Sequence, residues 1–535
     1  MFYETWFNLN IVFDNSKIKI VMKKNIGRRE FIKDTALTAA AFTIVPSHVL
    51  GGKRHVAPSD KLYIACVGCG GEAQNDIEHY AYAPKKNAVI AFLCDVDDIR
   101  SAETRKNFPK APYYHDWREM FEKEHKNFDA VTVAIPDHNH AIVGLNAMQL
   151  NKHLYLQKPL THDIYEARVL TQAAEKYKVV TQMGNQGASF DGMRTLKEWF
   201  DAGLIGDIEK VYNWTNRPVW PQGIPWPDKT AKVPDTLKWD LWLGTAPQTE
   251  YIDNLVPFNW RGWWRFGTGA LGDMGCHIIG PSFKLLGLGY PTEVTCEAVI
   301  TYTGMFKEVD DPMSIPPASR LRYTFKKKDG GDLKLYWMDG GLVPERPDEL
   351  DPDVNLNDAL AGVPKLGDYE GGTLFIGKRG KISCGWGGRN PRLLPLSLNN
   401  QVDVAQKYPR VQGSANGHWW QWVDAAIAGY HNDYEGNAAL PVLGKKKAYV
   451  DSPFEDYAGP LTETVLMGNL LLRSFGLRVK TKRLDPVYGE VEDITTPGRY
   501  IAYKWDGANM RITNFEPANQ FVKREYRQGW GELKL

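Results

Sequence analysis

The chain has 535 residues, with 65 Lys and Arg against 64 Asp and Glu, which is a formal net charge of +1. A chain with this charge balance lacks the excess of positive charge that binding to nucleic acid or to an anionic membrane surface requires, and both are excluded as partners. Hydrophobic residues make up 43% and charged residues 24% of the chain, values that are typical of a folded protein with two or three domains.

The first 52 residues are predicted to be an extension followed by an export signal. Arg28 and Arg29 stand before an apolar stretch of about a dozen residues, 35–45, which is too short to span a bilayer. The order Arg-Arg-x-Phe-Ile-Lys resembles a twin-arginine signal, although Gly27 stands where Ser or Thr is usual. The alternative is an ordinary amphipathic helix. The signal predicts a periplasmic or otherwise exported protein, and no later segment has the roughly 18 apolar residues that a membrane span requires.

From residue 60 to 183, short apolar runs alternate with helical segments. Five runs are predicted to be buried parallel strands, namely Leu62–Val67, Ala88–Leu93, Ala130–Ile135, His153–Leu156 and Val179–Met183. The segments between them have helical spacing or a helix-forming composition, namely Glu72–Tyr82, Arg100–Asn107, Trp117–His125, His140–Leu150 and Ile164–Tyr177. This alternation predicts a doubly wound α/β domain.

The first predicted strand runs into a glycine-rich loop that opens a helix, Gly68-Cys69-Gly70-Gly71-Glu72-Ala73. Glycines in a G-x-G-x-x-A loop permit a tight turn and bring backbone N–H groups close to a pyrophosphate at the helix N-terminus. The second strand leads to Asp95, an acidic residue that can bind ribose hydroxyls and would repel the extra phosphate of NADP. The pattern predicts a Rossmann domain that binds NAD, with NADP as the open alternative. The predicted cofactor-binding residues here are Gly68, Gly70, Gly71, Ala73 and Asp95.

The remainder, residues 184–535, loses this alternation and predicts an α+β domain. A helix is expected at Met193–Ala202 and a strand at Ile208–Asn213, before a stretch rich in Pro and Trp at 216–267. Further strands are predicted at Glu293–Tyr302, Arg320–Phe325, Leu333–Met338 and Gly372–Cys384. The last is expected to be a hairpin that turns through residues 377–380. Together these strands predict a large open sheet that is mainly antiparallel.

Three further segments carry groups suited to acid–base chemistry. The fourth strand leads to Pro136 and His140, the fifth to Lys158, and a glycine-rich turn leads to Asp273 and His277. Ligands of a doubly wound sheet lie at the carboxyl ends of its strands, so Pro136, His140 and Lys158 are expected at the cofactor crevice. Asp273 and His277 are four residues apart and share one helix face. An imidazole can take a proton near neutral pH, a carboxylate can orient it, and a lysine can stabilise a developing negative charge.

These motifs, together with Gly184-Asn185-Gln186-Gly187, resemble those of the Gfo/Idh/MocA oxidoreductases. The resemblance implies that Lys158, Asp273 and His277 form the catalytic set, and that Asn185 and Gln186 belong to the cofactor site. It also implies a homo-oligomer, a dimer or tetramer, in which the open sheet pairs with another subunit. The chain departs from the family's Glu-Lys-Pro by having Gln157 before Lys158. The tail that ends near Trp530 resembles exported members with an enlarged C-terminal domain.

Tryptophan is concentrated beside the predicted catalytic helix, since eight of the 18 fall between Trp214 and Trp264. Sugar rings pack their apolar faces on indoles while their hydroxyls bond to polar side chains. Trp263, Trp264 and Arg265 are therefore predicted to bind a small-molecule carbohydrate, uncharged in view of the even charge of the chain. The other indoles are expected in the hydrophobic core. The histidines and cysteines show no metal-ligand spacing, so no metal is predicted.

Three functions fit the pattern. The first is NAD(P)-dependent transfer of a hydride between a sugar or polyol hydroxyl and a tightly bound nicotinamide, with His277 as the base and Lys158 stabilising the alkoxide. The second is a redox-neutral glycosidase, in which oxidation, elimination and return of the hydride cleave a glycoside; the Tyr-Pro-Thr-His element of such enzymes is absent from the chain. The third is a non-catalytic sugar-binding protein, which only Gln157 supports. Export favours a retained cofactor because free NAD is scarce outside the cytoplasm.

Overall fold

The computed structural model describes residues 60–350, 366–430, 437–445 and 448–535, together with two short N-terminal strands. Those strands, Leu9–Val12 and Lys19–Met22, pair antiparallel. The predicted export signal at 28–45 lies outside the described residues. The chain divides into a unit that ends at Asp60 and a unit from Lys61 to Leu535. The second unit holds every predicted site residue.

Six parallel strands form the first sheet. Their spatial order is Tyr113–Tyr114, Ala88–Cys94, Leu62–Val67, Ala130–Val133, His153–Leu156 and Thr181–Met183. The five predicted strands are confirmed, and the pair of residues at 113–114 is too short to carry a detectable apolar pattern. The chain order reverses between Leu62–Val67 and Ala130–Val133, which is the point where a doubly wound sheet binds its ligand.

The predicted helices of this domain are confirmed, with ends that differ by at most two residues. They are Glu72–Ala81, Ala102–Asn107, Trp117–Glu124, His140–Gln149 and Ile164–Tyr177. The last begins with a capping box, because Asp163 accepts the N–H of Glu166 and the Glu166 carboxylate accepts the N–H of Asp163. The first has no side-chain cap at Gly71. Its N-terminal N–H groups therefore stay available to a ligand.

Nine strands form the second sheet, which is mainly antiparallel as predicted. Their order is Arg392–Leu394, Gly380–Cys384, Gly371–Gly377, Ile208–Thr215, Asp332–Met338, Ser319–Lys326, Glu293–Ala298, Ala502–Asp506 and Arg511–Ile512. Ile208–Thr215 and Asp332–Met338 run parallel. The predicted hairpin is confirmed by the pairing of Gly377 with Gly380. Two further hairpins stand apart from this sheet, and they are Tyr302–Gly304 with Lys307–Glu308 and Val479–Asp485 with Gly489–Thr495.

In the described part of the second half, the α-helices are Asp191–Asp201, Trp239–Leu243, Gly269–Ile278, Gly280–Leu286, Gly417–Ala428 and Gly459–Phe475. The 17-residue helix Gly459–Phe475 packs against Ile164–Tyr177 of the first domain and against Gly269–Ile278. Nearly all of its residues are buried, so it lacks the polar face that makes a helix visible in a sequence. Of the helices in the described part of the chain, none is both long and apolar enough to cross a membrane.

Candidate active site

A cavity of about 790 Å³ lies at the carboxyl ends of the parallel strands, between them and the second domain. That volume suits a bound small molecule. Ten of the predicted site residues line it, namely Gly68, Gly70, Gly71, Ala73, Asp95, Pro136, Lys158, Gln186, Asp273 and His277. The other five lie outside its lining, namely His140, Asn185, Trp263, Trp264 and Arg265.

One end of the cavity has the backbone geometry of a dinucleotide site. Gly68 has a φ of +96°, and a Cβ on it would lie 2.2 Å from the carbonyl oxygen of Ala134. A Cβ on Gly70 would lie 2.7 Å from the carbonyl oxygen of Arg100. Only glycine fits at these two positions, and the helix that follows keeps its first N–H groups uncapped. The loop and this helix start therefore fit the pyrophosphate of a nicotinamide dinucleotide.

Asp95 ties the glycine loop to the second strand. Its carboxylate accepts the N–H of Cys69 at 2.7 Å and the N–H of Asp97 at 2.9 Å, and burial raises its pKa to about 6. Arg100, which the sequence analysis did not single out, lies against Gly71 and lines the same end of the cavity. An acidic residue suits the ribose of NAD and a nearby arginine suits the phosphate of NADP, so both dinucleotides remain compatible with this end.

Lys158 and Asp273 meet at the other end of the cavity. Nζ of Lys158 donates to Oδ1 and to the backbone oxygen of Asp273, both at 2.9 Å. Nε of Arg261 lies 3.4 Å from Oδ1, and Nε of Arg217 lies 3.8 Å from Oδ2. Burial alone would raise the pKa of Asp273, but these three positive charges hold it well below its usual value. Asp273 is therefore ionised at physiological pH, and Arg217 and Arg261 join the predicted residues around it.

His277 lies one turn beyond Asp273 on the helix Gly269–Ile278. Its side chain is 8% exposed, its Nδ1 has no hydrogen-bond partner, and its ring packs edge-on against Trp386 with 5.1 Å between centroids. Burial, followed by the charge of Lys158, lowers its pKa to about 3. The imidazole is therefore neutral near pH 7, and its unprotonated ring nitrogen can accept a hydrogen bond. The Asp273 carboxylate is hydrogen-bonded to Lys158 and acts on His277 through its charge.

A buried carboxylate still lies beside Gln157, although the chain lacks the family's glutamate there. Nε2 of Gln157 donates to both carboxylate oxygens of Asp76, at 3.1 and 3.0 Å, and Nε1 of Trp419 donates to one of them at 2.8 Å. Asp76 has 0% exposure, and burial raises its pKa. Gly184 makes room for the Gln157 amide, since a Cβ there would lie 2.5 Å from it. Sequence reasoning missed Asp76, because a single acid in a helix carries no local signal.

His140 and Asn185 lie outside the cavity lining and make hydrogen bonds to segments next to it. Nδ1 of His140 lies 2.8 Å from the carbonyl oxygen of Pro159, and Nε2 lies 2.7 Å from that of Ile135. Oδ1 of Asn185 accepts a hydrogen bond from Oγ of Ser452 at 2.5 Å. His140 thereby links the ends of the two strands that carry Pro136 and Lys158, rather than facing the cavity itself.

None of the predicted sugar-binding residues lines the cavity, since Trp263 and Trp264 lie in the hydrophobic core and Arg265 is half-buried. Trp263 is 3% exposed and packs edge-on against Trp226 at 4.8 Å, and Trp264 is likewise buried. Nη1 of Arg265 donates to Oγ1 of Thr249 at 2.8 Å. The described indoles that do line the cavity are those of Trp117, Trp242, Trp260, Trp386 and Trp419.

A strap formed by residues 236–238 closes over the dinucleotide end. The N–H of Asp98 donates to the carbonyl oxygen of Thr236 at 3.0 Å, and the N–H of Lys238 donates to that of Val96 at 2.8 Å. Asp97 and Leu237 form a β-bridge between these two bonds. The strap comes from the Pro- and Trp-rich segment of the second domain, and it is attached directly beyond Asp95.

In the described ranges, no group of three or more His, Cys, Asp or Glu side chains is arranged to hold a metal ion.

Two family profiles match the chain. Residues 62–185 match an oxidoreductase family with an NAD-binding Rossmann fold, and residues 203–310 match the C-terminal alpha/beta domain of the same family.

Several curated proteins are similar over part of the chain. A scyllo-inositol 2-dehydrogenase (NADP(+)) of Bacillus subtilis is 24% identical over 255 residues, which is 45% of this chain and 60% of that protein. A levoglucosan dehydrogenase of Pseudarthrobacter phenanthrenivorans is 23% identical over 36% of this chain and 42% of its own length. A glycosyl hydrolase family 109 protein of Bacteroides fragilis is 26% identical over 30% and 37%. The chain therefore spans less than two thirds of these relatives.

Solved structures with a similar arrangement include a levoglucosan dehydrogenase in complex with NADH. It has a TM-score of 0.47 and 14% identity, over 76% of this chain and 96% of that chain. An inositol dehydrogenase homolog from Azotobacter vinelandii, complexed with NADH and myo-inositol, has a TM-score of 0.45 and 15% identity, over 77% and 94%.

Proposed function

Because the chain belongs to the Gfo/Idh/MocA oxidoreductase family and carries its NAD-binding Rossmann domain and its C-terminal domain, we propose that it transfers a hydride between a sugar or polyol hydroxyl and a tightly held nicotinamide dinucleotide. The observation that carries this proposal is that Lys158, Asp273 and His277 line one cavity with the glycine loop. When bound, the nicotinamide supplies the hydride acceptor or donor. The relatives named as inositol and levoglucosan dehydrogenases support a carbohydrate substrate.

The proton chemistry is assigned to His277 and Lys158. Nδ1 of His277 is shielded from solvent, so Nε2 is the nitrogen available to a hydroxyl in the cavity. The neutral imidazole takes the hydroxyl proton during oxidation and returns it during reduction. The ammonium of Lys158 stabilises the negative charge that develops on the oxygen. Asp273 holds that ammonium in place through the two contacts at 2.9 Å.

A redox-neutral glycosidase is the second candidate. The strap, held by the two backbone bonds between residues 96–98 and 236–238, favours a cofactor that stays in place through a whole catalytic cycle. The similarity to glycosyl hydrolase family 109 proteins supports the same reading. A sugar-binding protein without catalysis is the third candidate. Its support is weakened because Asp76 supplies a buried carboxylate beside Gln157.

Mass spectrometry of the small molecules released from the denatured, purified protein tests the proposal first. A co-purifying dinucleotide is expected, and its absence would contradict tight retention. Incubation with sugars and aryl glycosides then separates the candidates. Reduced nicotinamide formed with a sugar alone indicates a dehydrogenase, and release of the aglycone without net reduction indicates a glycosidase. Saturable binding with neither signal indicates a binding protein.

We also propose export by the twin-arginine pathway and assembly into a homo-oligomer. The support for export is the Arg28-Arg29 motif. The support for assembly is the family resemblance, together with exposed apolar residues at the tip of one hairpin, where Met305 and Phe306 are 89% and 91% exposed. Cell fractionation of a variant in which both arginines are lysine tests export, and unchanged export would contradict it. Light scattering tests assembly, and a monomeric mass would contradict it.

A further inference from the structure

The part of the cavity around His277 is rich in positive charge. Lys158, Arg217 and Arg261 share the single carboxylate of Asp273. Glu370, a second carboxylate at this end, accepts a hydrogen bond from Nη2 of Arg217 at 2.7 Å. A substrate that enters here meets more cations than the protein's own carboxylates neutralise.

Asp137 reduces this excess of positive charge without removing it. Its carboxyl also lines the cavity, but it accepts a hydrogen bond from Oγ1 of Thr268 at 2.6 Å, and burial raises its pKa. Lys158, Arg217, Arg261 and Arg389 are then four cations against the three carboxyl groups of Asp137, Asp273 and Glu370, so this end of the cavity remains positive.

Arg389 lies at this end of the cavity, and the half-buried carboxylate of Asp368 acts on it through its charge without an ion-pair contact. Among the described residues no carboxylate lies within ion-pair distance of its guanidinium, which instead stacks on aromatic rings. It lies 4.6 Å from the ring centroid of Trp386 and 4.9 Å from that of Phe190. Trp386 is also the residue that packs on the His277 imidazole. The Trp386 indole is therefore in contact with both the guanidinium and the proposed base.

The turn that carries Arg389 is tightly packed. It begins with Trp386–Gly388, in which Gly387 and Gly388 have φ of +64° and +78°. A Cβ on Gly192 would lie 2.0 Å from the carbonyl oxygen of Gly388, so the two backbones are in direct contact. Arg389 is thus held by both its backbone and its aromatic neighbours. A charged group that is positioned in this way loses little conformational entropy when it binds.

We propose that the substrate is an acidic sugar and that Arg389 binds its carboxylate, an inference that rests on the proposed oxidoreductase function. A planar guanidinium matches a carboxylate with two parallel hydrogen bonds, and stacking on its face leaves its N–H edge free. A neutral sugar leaves the half-buried charge unpaired, which is unfavourable. The carboxylate and the reacting hydroxyl are then on the same ring. An acidic sugar differs from the uncharged substrate that the net charge of the chain predicts. Net charge is a sum over the whole protein, whereas the substrate meets only the charges that line the cavity.

Binding and turnover of matched sugar pairs test the inference. Glucuronate and glucose differ only in a carboxylate against a hydroxymethyl group, and so do galacturonate and galactose. By calorimetry, we expect the purified full chain to bind the acid of at least one pair about tenfold or more tightly than the neutral sugar of that pair. The acid should also change the fluorescence of the bound nicotinamide at a lower concentration than the neutral sugar does. Glucose 6-phosphate is the third arm, and a preference for it over both acids would overturn the carboxylate assignment.

Variants of Arg389 connect the preference to this side chain. Arg389→Gln should lose the preference for the acid, and Arg389→Lys should retain part of it because the charge remains. Arg483→Gln is the matched control, since it removes the same charge from an exposed hairpin and should leave the preference unchanged. If Arg389→Gln does not fold by thermal melting, Arg389→Lys carries the test through its reduced preference.

Two results overturn the inference while leaving the proposed function in place. One is a wild-type protein that turns over the neutral sugar as well as the acid, and the other is an Arg389→Lys or Arg389→Gln variant with the full preference. If no sugar of either kind binds or changes the bound nicotinamide, the proposed function and the inference are overturned together.

Discussion

Replacing Gln157 by glutamate restores the family's Glu-Lys-Pro, and we expect it to destabilise this chain. Nε2 of Gln157 lies 3.1 and 3.0 Å from the two oxygens of Asp76, and both side chains are buried. A carboxylate in that place brings two negative charges to about 3 Å, where the repulsion is about 5.5 kcal/mol at an effective dielectric constant of about 20. The pair avoids this by keeping a proton, which raises the pKa of one member.

The sign of the pH dependence follows from that proton. A carboxyl whose pKa is raised in the folded state binds more protons there than in the unfolded state, so the free energy of unfolding falls as pH rises. Between about pH 6 and 8 the free energy of unfolding of Gln157→Glu should fall by up to about 1.4 kcal/mol per pH unit. The fall should be steeper than in the wild type, where the Gln157 amide donates to Asp76 and favours its ionised form. Denaturant titration at several pH values in this range measures the loss.

The double variant Asp76→Asn with Gln157→Glu is the control, because it exchanges the carboxylate and the amide between the same two positions. It should recover most of the stability lost by Gln157→Glu alone. The reasoning is refuted if Gln157→Glu is as stable as the wild type across this pH range, or if the double variant is no more stable than the single one.

Three further predictions concern the cavity. Lys238→Pro removes the N–H that donates to Val96, and the φ of −84° at this position is close to the value that proline adopts. The variant should therefore lose the dinucleotide faster on dialysis. Lys238→Ala keeps the N–H and should lose the dinucleotide at the wild-type rate. Lys158→Met should lower turnover on the order of 10²–10⁴-fold while the dinucleotide stays bound. Because the pKa of His277 is lowered to about 3, its contribution to stability should be complete above about pH 6.5 and be lost as pH falls toward 3, and denaturation of His277→Gln should show a shallower acid dependence than the wild type.

Each of these has a contrary outcome. Equal release of the dinucleotide from the proline and alanine variants would show that the strap does not retain it. Full turnover by Lys158→Met would remove Lys158 from the proposed chemistry. An acid dependence of stability that is identical in wild type and His277→Gln would show that the imidazole is not held neutral by the fold.

The strands and helices that can be predicted from the sequence are those whose buried residues form a recognisable local pattern of apolar and polar residues. The strands Leu62–Val67 and His153–Leu156 are mostly apolar and mostly buried, and both are predicted with their observed ends. The helix Gly459–Phe475 is buried all round and so has no polar face to set its period. The strand Tyr113–Tyr114 is defined by its pairing with Leu93 and Cys94 at the edge of the sheet. Two residues are too few to show such a pairing in the sequence.

The site shows the same division. The glycine loop and the Asp273–His277 spacing are local, and the structure brings them into one cavity. The partners of Gln157 and Asp273 come from distant parts of the chain, since Asp76 lies 81 positions away and Arg261 lies on a separate turn. Composition also cannot tell which indole of a cluster faces a cavity, because the turn at Asn259–Gly262 directs Trp260 to the cavity and leaves Trp263 in the core.

The most direct test of the central claim is the redox state of the dinucleotide that co-purifies with the protein, followed by nicotinamide fluorescence while sugars are added. The account predicts that at least one sugar or sugar acid reduces the bound cofactor in the wild type, and that Lys158→Met binds the same dinucleotide but shows no such change. Absence of any bound dinucleotide, or an identical response in the wild type and in Lys158→Met, would contradict it.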